Sequence, residues 1–583
     1  MVTVDTLVET LEKTALLLEL KGENPFKVRA YRHGAEAVAA HAGDIVERAV
    51  AGELEGIPGL GEALRDKLHE LATTGKLEFF EALRAEFPET IFDLFEIPGL
   101  GPKKIAVRHR ELGVGGLPEL KAACASGAVA ELPGFGQKTA QKILEGLAYR
   151  EQHAGVFRMD QAAPGAAQVL HWLKGQPSVS RADVGGSYRR GKEVVRDLDF
   201  VVATRHGADL LADLVHQPFV ATVLAQGPTK ASFRLDNGCQ CDVRAVRPDE
   251  YATALAYFTG NKEHNVAMRA RALKRGWSLN EYRLEGCPTP LHDEADLYRA
   301  LGLDFIPPEL REDRGEIEAA EHGHLPKLIE SGQLKGTFHN HTTASDGTAT
   351  LDEMADAARA LGLQYLGIAD HSKASFQASG LDEKRLLAQI REIAERNERF
   401  AAEAAAEGAF RLFAGSEVDI LKDGSLDFSD EVMAQLDYVV ASVHNAFSLG
   451  EAEMTRRIIR AVANPHVTML GHLTGRLLLK REPYAVDVPA VIDACAATGT
   501  IIELNANPWR LDMDWRWWPL AREKGVKTSI NPDAHGTADL AFLWYGVRIA
   551  RKGWLTRADV VNCLPLGKIE AVLQAKRKGR AGA

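Results

Sequence analysis

The chain lacks the features of a membrane-spanning or disulfide-stapled protein. No apolar run reaches the roughly 18 residues that a membrane helix needs, and the N-terminus, MVTVDTLVETLEKTALLLEL, is acidic and helix-periodic rather than signal-like. The six cysteines are scattered over 583 residues and form no CxxC pair, which argues against a disulfide framework and against structural zinc of the usual spacing. We therefore expect a cytoplasmic protein with reduced thiols and no membrane contact.

A general excess of positive charge is also lacking. The formal net charge is −11, with 45% hydrophobic and 26% charged residues, which excludes wholesale disorder and wholesale electrostatic adhesion to nucleic acid. Residues 101–150 nevertheless hold 8 Lys and Arg against 4 Asp and Glu, whereas residues 51–100 hold 4 against 11. Any contact with nucleic acid is therefore expected to be local. At roughly 100 to 200 residues per domain, the length predicts about three to five domains.

One glycine-containing turn recurs three times in the first 150 residues. The copies are Ile57-Pro58-Gly59-Leu60-Gly61, Ile97-Pro98-Gly99-Leu100-Gly101 and Leu132-Pro133-Gly134-Phe135-Gly136, each before an amphipathic helix. Such turns direct backbone N–H groups outward, where a DNA phosphate can accept them whatever the base sequence. Positive charge follows the second and third copies, at Lys103, Lys104, Lys138 and Lys142. A single copy would suit an ordinary turn between helices, but three resemble helix-hairpin-helix motifs.

A carboxylate pair follows a glycine-serine turn in the middle of the chain. From Gly186-Ser187 the sequence runs through Arg189 and Arg190 to Asp197 and Asp199, which alternation places on one face of an apolar strand. A third carboxylate, Asp242, lies in another strand-like run. Three converging carboxylates can hold two divalent cations roughly 4 Å apart, and such a pair activates a 3′-hydroxyl and neutralises a leaving pyrophosphate. The turn and its arginines would bind a triphosphate.

These segments resemble the palm and thumb of family X DNA polymerases, the DNA polymerase beta group. The likeness covers residues 186–199 and 241–282, including Tyr257-Phe258-Thr259-Gly260-Asn261. It implies that Asp197, Asp199 and Asp242 bind Mg²⁺ or Mn²⁺, with Asp242 nearest the primer hydroxyl, and that Arg244 responds to domain closure. The residues that it implies for nucleotide binding are Gly186, Ser187, Arg190, Tyr257, Phe258, Gly260, Asn265 and Arg269.

Two positions depart from that family's pattern. Val194 stands where Ser or Thr is usual, and Arg196 replaces a glycine beside the phosphates. Arg196 either adds charge near the nucleotide or restricts the approach of the backbone.

The N-terminal helices resemble the lyase domain of the same family. Lys67 falls where that family keeps its Schiff-base lysine, and Lys27 and Tyr31 match residues near a 5′-phosphate. Attack on an abasic-site aldehyde requires a deprotonated amine, and hence a cationic or apolar neighbourhood. The alternative interpretation of Lys67 is a solvated helix lysine.

Histidines and carboxylates end successive apolar runs in the last third of the chain. Intervals such as 339–371, 417–444 and 444–472 each fit one strand plus one helix. Because the parallel strands of a barrel end at one rim, the side chains are expected to converge there. Mixed imidazole and carboxylate donors suit Zn²⁺, Mn²⁺ or Fe²⁺ and the hydrolysis of phosphate esters. The nine residues are His339, His341, Asp346, His371, Glu417, His444, His472, Asp533 and His535.

This pattern resembles the PHP (polymerase and histidinol phosphatase) domain, a distorted barrel of about seven strands. The resemblance implies a site for three ions and distributes the ligands among them. One ion is assigned to His339, His341, Glu417 and Asp533, a second to Glu417, His444 and His472, and a third to Asp346, His371 and His535.

Together the resemblances predict a multidomain protein with an N-terminal all-α helix-hairpin-helix region, a central α/β nucleotidyltransferase palm and thumb, and a C-terminal distorted (β/α)7 PHP barrel. The predicted boundaries are 1–90 for the lyase-like domain, 91–150 for the fingers, 151–248 for the palm, 249–315 for the thumb, 316–335 for a linker and 336–583 for the PHP domain with a basic tail.

The implied function is the filling of short DNA gaps during base excision repair by a monomer that uses dNTPs on gapped or primer-template DNA. The PHP domain would then act as a 3′–5′ exonuclease or cut at abasic sites. Three alternatives are a PHP nuclease whose polymerase half only binds DNA, a noncatalytic repair scaffold, and an RNA nucleotidyltransferase. The three helix-hairpin-helix turns disfavour the last, because they suit a duplex DNA backbone.

Overall fold

The computed structural model describes residues 2–40, 44–57, 59–97, 100–132 and 135–578. The chain divides into two compact units, Met1–Ala154 and Gly155–Ala583. Among the described helices, none combines the length and the apolar character needed to cross a membrane.

The first unit is helical throughout its described residues. Its first helix shows why: Thr3 and Thr6 form a capping box at the start, and Gly22 ends the helix in a left-handed conformation. Leucine and isoleucine side chains from successive helices, such as Leu11, Leu68 and Ile143, form one core. The helices are α1 (Val4–Lys21), α2 (Pro25–Ala40), α3 (Ile45–Ala51), α4 (Glu62–Thr74), α5 (Glu78–Arg84), α6 (Pro102–Leu112), α7 (Leu117–Ala125), α8 (Ala128–Glu131) and α9 (Gln137–Gln152), with a 3₁₀ helix at Glu89–Glu96.

The second unit begins with a five-stranded sheet covered by helices. This region contains the strands β1 (Phe157–Arg158), β2 (Val179–Val184), β3 (Val194–Val195), β4 (Asp197–Thr204), β5 (Thr222–Gln226), β6 (Lys230–Arg234) and β7 (Gln240–Val246), and the helices α10 (Met159–Lys174), α11 (Gly186–Arg189) and α12 (Gly207–Leu214). The strand order is β2-β4-β7-β6-β5, while β1 and β3 form a separate pair. The two central strands, β4 and β7, run parallel, so their N-terminal residues lie side by side.

A smaller helical subdomain follows. It contains α13 (Tyr251–Thr259), α14 (Lys262–Leu273), the hairpin of β8 (Ser278–Leu279) and β9 (Leu284–Glu285), α15 (Glu294–Ala300) and α16 (Glu316–Glu321). Its core includes Ile317, Ala320 and Leu328, which are buried. Residues 316–335, predicted to be a linker, therefore contribute packed side chains to this subdomain.

The last part of the chain is a nearly closed barrel of seven parallel strands. The strands are β10 (Gly336–Asn340), β11 (Tyr365–Ile368), β12 (Arg411–Asp419), β13 (Tyr438–Ser442), β14 (Met469–Leu470), β15 (Ile501–Asn505) and β16 (Thr528–Asn531), in sequence order. The helices are α17 (Leu351–Ala360), α18 (Glu383–Glu407), α19 (Asp430–Met433), α20 (Glu451–Val462), α21 (Val488–Thr498), α22 (Trp518–Glu523), α23 (Leu543–Lys552) and α24 (Leu566–Lys578). A bridge between Asn340 and Ala534 joins the first strand to the last.

Aromatic rings fill the barrel interior. Phe338, Tyr365, Phe413 and Tyr438 form one buried cluster, and glycine on the neighbouring strands leaves space for them. A Cβ atom on Gly415 would lie 2.4 Å from the Tyr438 ring, closer than any real contact.

Helix α23 of the barrel packs against the loop that follows α11. Arg548 donates to the Tyr188 carbonyl at 2.5 Å, and Lys552 donates to the Arg190 carbonyl at 3.0 Å and to Glu312 at 2.6 Å. Lys552 is fully buried. The barrel thus satisfies backbone carbonyls of residues 185–190, the glycine-serine segment of the neighbouring sheet domain.

Candidate active and metal-binding sites

The two central strands of the five-stranded sheet bring three carboxylates together. Asp199 on β4 lies directly opposite Asp242 on β7, and Asp197 lies two residues before Asp199 on the same face. Lys230 donates to Asp242 Oδ2 at 3.0 Å, whereas Asp242 Oδ1 is buried and has no hydrogen-bond partner in the described structure. An acceptor of this kind beside two further carboxylates fits a hard divalent cation.

The pKa shifts of Asp197 and Asp199 reflect the repulsion among these three carboxylates. Burial and repulsion from Asp197 and Asp242 raise the pKa of the Asp199 carboxyl to about 7. Burial and Asp242 also raise the pKa of Asp197, although Lys230 and Arg196 oppose the rise. Arg196 is exposed, and its charge acts to lower the pKa of Asp197.

Glycine allows the backbone of the glycine-serine segment to lie against these carboxylates. Gly186 has a φ of 59°, and a Cβ atom there would lie 2.0 Å from Asp199 Oδ2. On Gly185 a Cβ atom would lie 3.2 Å from the Phe258 carbonyl oxygen. Any side chain at Gly186 would therefore displace the Asp199 carboxylate.

Both arginines of this segment are engaged by the helical subdomain. Arg189 donates to Glu294 at 2.5 and 2.9 Å and to Thr259 Oγ1 at 2.6 Å. Arg190 donates to the Thr259 carbonyl at 2.5 Å and to Glu312 at 3.0 Å. The sequence suggested that both guanidinium groups cradle a triphosphate, but here each is held by a buried carboxylate, because a charge this enclosed requires a counterion.

Most of the remaining residues that the resemblance assigns to the nucleotide lie on α13, on α14 or at the turn between them. Asn265 donates to the Tyr257 carbonyl at 2.8 Å, and Arg244 lies 5.0 Å from the centre of the Phe258 ring. Tyr257, Asn265 and Arg269 line one small cleft. Gly260 ends α13 with a φ of 69°, and Ser187 is the second residue of α11.

In the N-terminal unit, the second glycine of each repeated turn lies at a helix start. Gly61 caps α4, Gly101 caps α6 and Gly136 precedes α9, and each carbonyl accepts a hydrogen bond from an amide three residues on, at 2.8 to 2.9 Å. The first-turn amides are then directed outward along the helix axis. Gly59 has a φ of 87°, while Gly99 and Gly134 lie outside the described residues. Lys103, Lys104 and Lys138 occupy first turns and are exposed.

Lys67 and Lys27 share one aromatic ring. Their ammonium groups lie 5.4 and 5.2 Å from the centre of the Phe79 ring, and Tyr31 stacks on that ring at 6.0 Å. Burial raises the pKa of Tyr31 to about 12, so it stays a neutral phenol. Lys67 therefore has both a cationic and an apolar neighbour.

At the carboxyl ends of the barrel strands the nine ligand-type residues form one cluster. Four overlapping groups each have ligand atoms within 4.8 Å of one another. The grouping differs from the distribution that the resemblance implied, because Glu417 lies with His339 and His472 in one group and with His371 and His444 in another, and not in the group of Asp533. His341 also joins the group around Asp346. The groups are His341, Asp346, His371 and His535; His339, His341 and Asp533; His339, Glu417 and His472; and His371, Glu417 and His444.

Glu417 is the central carboxylate of this cluster. Its oxygens lie 2.8 Å from His472 Nε2, 2.9 Å from His371 Nδ1 and 3.2 Å from His444 Nε2. It is almost fully buried on β12, so a carboxylate at this position needs positive charge around it.

Two ligand-type residues adopt backbone conformations that non-glycine residues rarely use. His339 has a φ of 57° and Asp533 a φ of 53°, and the register of β10 against β11 shifts between Thr337 and Asn340. The strand ends at Asn340, and the ring centres of His339 and His341 lie 5.3 Å apart. Strain of this kind is common at functional sites.

The pKa shifts of the histidines differ with the charges around each ring. Burial lowers the pKa of His444, but Glu417 and Asp419 outweigh it and raise that pKa to about 10. His535 is raised to about 9 against the effect of burial, by Asp346 and Asp533. In contrast, burial and the neighbouring His535 and His371 lower the pKa of His341 to about 4.

The donor set fits divalent transition metals. Among the described residues, His339 Nε2, His341 Nδ1, His371 Nδ1 and His472 Nδ1 are buried ring nitrogens without a hydrogen-bond partner. Imidazole and carboxylate donors in this ratio are typical ligands of Zn²⁺, Mn²⁺ and Fe²⁺.

Sequence reasoning missed several side chains that support this cluster. Asp419 accepts from Ser375 Oγ at 2.6 Å and lies 3.2 Å from His444 Nδ1. Arg481 and Arg510 line the same cavity, of about 330 Å³, as the histidines. No motif in the sequence indicates these two arginines, because both lie in loops far in sequence from the residues that they face.

Comparison with known proteins agrees with this division of the chain. Family models match residues 4–77 (helix-hairpin-helix domain), 91–148 (SAM-like helix-hairpin-helix tandem), 254–312 (DNA polymerase beta thumb) and 337–507 (PHP domain). A probable phosphatase of Thermoanaerobacter sp. (strain X514) is 26% identical over 255 residues, which cover 42% of this chain and 96% of the phosphatase. The fold predicted from the sequence is confirmed.

One relative covers almost the entire chain. The DNA polymerase/3′-5′ exonuclease PolX of Bacillus subtilis (strain 168) is 38% identical over 574 residues, which cover 97% of this chain and 99% of that protein. This extent includes the helical unit, the sheet domain with its three carboxylates and the barrel with its nine ligand-type residues. The chain therefore belongs to the PolX family of family X DNA polymerases that carry a C-terminal PHP domain.

Proposed function

We propose that this protein fills short gaps in DNA during repair in the cytoplasm and uses its PHP domain to remove nucleotides from 3′ ends or to cut at abasic sites. The observation that carries the proposal is the presence, in one chain, of two separate clusters of residues of the types that bind cations. One has three carboxylates and suits Mg²⁺ or Mn²⁺, while the other has six histidines and three carboxylates and suits Zn²⁺, Mn²⁺ or Fe²⁺.

At the polymerase site, Asp197, Asp199 and Asp242 would hold the cations, which when bound lower the pKa of the primer hydroxyl and neutralise the pyrophosphate. The backbone of Gly186 and the Ser187 hydroxyl would contact the triphosphate. Arg190 lies in the same segment, so it would exchange its Glu312 contact for a phosphate contact when a nucleotide binds.

At the nuclease site, the nine ligand-type residues would hold up to three ions, which when bound supply hydroxide near neutral pH. Arg481 and Arg510 face the same cavity, where their charges would bind the scissile phosphate and orient it. Asp533 keeps Arg510 in place through a contact of 3.2 Å.

The repeated turns of the N-terminal unit would grip the backbone of gapped or primer-template DNA. Their outward amides and the lysines at Lys103, Lys104 and Lys138 support binding that does not depend on sequence. A role for Lys67 as a lyase nucleophile is supported by its position beside Lys27 and Phe79.

The two activities can be separated by paired variants on gapped DNA with a labelled primer, with and without dNTPs, in Mg²⁺ and in Mn²⁺. We expect Asp242→Ala to abolish extension and leave degradation intact, and His341→Ala to do the reverse. Loss of both activities in either variant would contradict independent sites. Failure of native protein to extend the primer would instead favour a nuclease whose polymerase half only binds DNA, and failure in both assays would favour a scaffold.

A further inference from the structure

A buried glutamate outside the nine ligand-type residues contacts the cluster through His339. Glu503 lies in the middle of β15 and is fully buried. Its Oε2 lies 2.5 Å from His339 Nδ1, whereas His339 Nε2 lies 3.2 Å from Glu417 on the opposite side of the ring. The imidazole of His339 is therefore held between a carboxylate of the cluster and one that stands behind it.

The other groups that hydrogen-bond to Glu503 are all donors. The His472 backbone N–H donates to Oε1 at 3.1 Å, and Asn505 Nδ2 and Asn531 Nδ2 each donate at 2.9 Å. The orientation of both amides is fixed independently, because Asn505 Oδ1 accepts from the Asn507 N–H and Asn531 Oδ1 accepts from the Phe338 N–H. A side chain that must accept at every contact is best provided by a carboxylate.

We propose that Glu503 is a positioning residue of the metal site, which holds His339 with Nδ1–H directed at the carboxylate and Nε2 directed at the metal. The inference rests on the metal-binding function proposed above for the nine residues. Three donors already hydrogen-bond to Glu503. The fourth contact, with His339, is a hydrogen bond when His339 Nδ1 carries a proton and donates it to the carboxylate. Nε2, which is buried without a hydrogen-bond partner in the described structure, is then the nitrogen that carries the lone pair toward Glu417 and Asp533.

Glu503 also connects two ligand-type residues on opposite ends of the barrel sheet. Asn505 donates both to Glu503 and to Asp533 Oδ2, the latter at 3.0 Å. Among the nine ligand-type residues, His339 and Asp533 are the two with left-handed backbones, so the network orients the side chains at both of these positions. An outer carboxylate that fixes the tautomer of a ligating histidine commonly changes metal affinity by 10- to 100-fold when it is replaced.

The test compares Glu503→Gln with a matched control, Asp512→Asn, in the full chain. Asp512 is also fully buried, and its carboxylate is hydrogen-bonded by Thr474 rather than by a ligating histidine. Mn²⁺ binding is followed by the electron paramagnetic resonance signal of free Mn²⁺, and primer extension reports whether each variant is folded. We expect roughly 10- to 100-fold weaker Mn²⁺ binding in Glu503→Gln, with Asp512→Asn within about twofold of native protein.

Equal Mn²⁺ affinity in Glu503→Gln and native protein, or equal losses in both variants, would overturn the proposal. Native protein that binds no Mn²⁺ beyond the polymerase site would instead refute the proposed metal-binding function itself. If Glu503→Gln does not fold, native protein labelled with [¹⁵N]histidine and loaded with Zn²⁺ decides the matter. The expected spectrum has a protected Nδ1 proton on His339 and coordination through Nε2, and coordination through Nδ1 would exclude the proposed role.

Discussion

The close approach of Gly186 to Asp199 predicts a sharp effect of adding one methyl group. The Cβ atom of Gly186→Ala would lie 2.0 Å from Asp199 Oδ2, whereas ordinary contacts begin at 3.4 Å, so one group must move by about 1.4 Å to restore a normal contact. A misplacement of about 1 Å in a catalytic group can cost roughly 100-fold in rate. We therefore expect kcat/KM for nucleotide addition to fall by at least about 100-fold, or about 2.7 kcal/mol.

The control for backbone strain is Gly238→Ala. Gly238 has a φ of 83°, so alanine is strained there as well, but its Cβ atom would meet nothing closer than 4.0 Å. Both variants should lose about 1 to 2 kcal/mol of stability from the left-handed backbone, measured by urea denaturation, while single-nucleotide gap filling should fall only in Gly186→Ala. Equal activity of the two variants would show that contact with Asp199 does not govern the site. Exonuclease activity should be unaffected in both.

Three further predictions concern charge. Because the folded-state pKa of Asp199 is about 7 against an ordinary 3.8, the contribution of Asp199 to the stability of metal-free protein should decrease as pH rises from about 4 to 7. Asp199→Asn should therefore raise the melting temperature in EDTA at pH 8 but not at pH 4, and an equal change in melting temperature at both pH values would contradict this. His444 and His535, with pKa values of about 10 and 9, are protonated at pH 7.5 in metal-free protein, so Mn²⁺ loading should release protons, detectable by calorimetry in buffers of different ionisation enthalpy. Lys67→Ala should abolish borohydride trapping on a 5′-abasic end, whereas the neighbouring first-turn variant Arg65→Ala should retain it; equal trapping by Lys67→Ala and native protein would remove Lys67 from the chemistry.

The sequence predicted which residues meet at the metal sites better than it predicted how they are held. Asp197, Asp199 and Asp242 follow from strand alternation and a motif, and the barrel ligands follow from their places at strand ends. The left-handed backbone of His339 could not be anticipated, because it depends on how β10 meets β11 and β16. The pairing of Arg190 with Glu312 is similarly inaccessible, since these partners are 122 residues apart.

Glu503 did leave a signal in the sequence. It interrupts the apolar run Ile501-Ile502-Glu503-Leu504, where a charged side chain would be buried on a central strand. Fully buried carboxylates are rare unless paired, so a glutamate in this run predicts a side chain with a charged or donor partner. Glu503 lies in the middle of its strand rather than at the end, which separates it from the pattern of the nine ligand-type residues.

The packing of α23 against the glycine-serine segment limits how far the sequences of the polymerase part and the PHP domain can change independently. The carbonyls of Tyr188 and Arg190 accept hydrogen bonds from Arg548 and Lys552 of the barrel. A change in barrel shape that moves these two side chains would therefore disturb nucleotide selection, even where the chemistry of the barrel is unaffected. Exchange of PHP domains between relatives should therefore succeed only when the α23 surface and the palm come from the same parent protein.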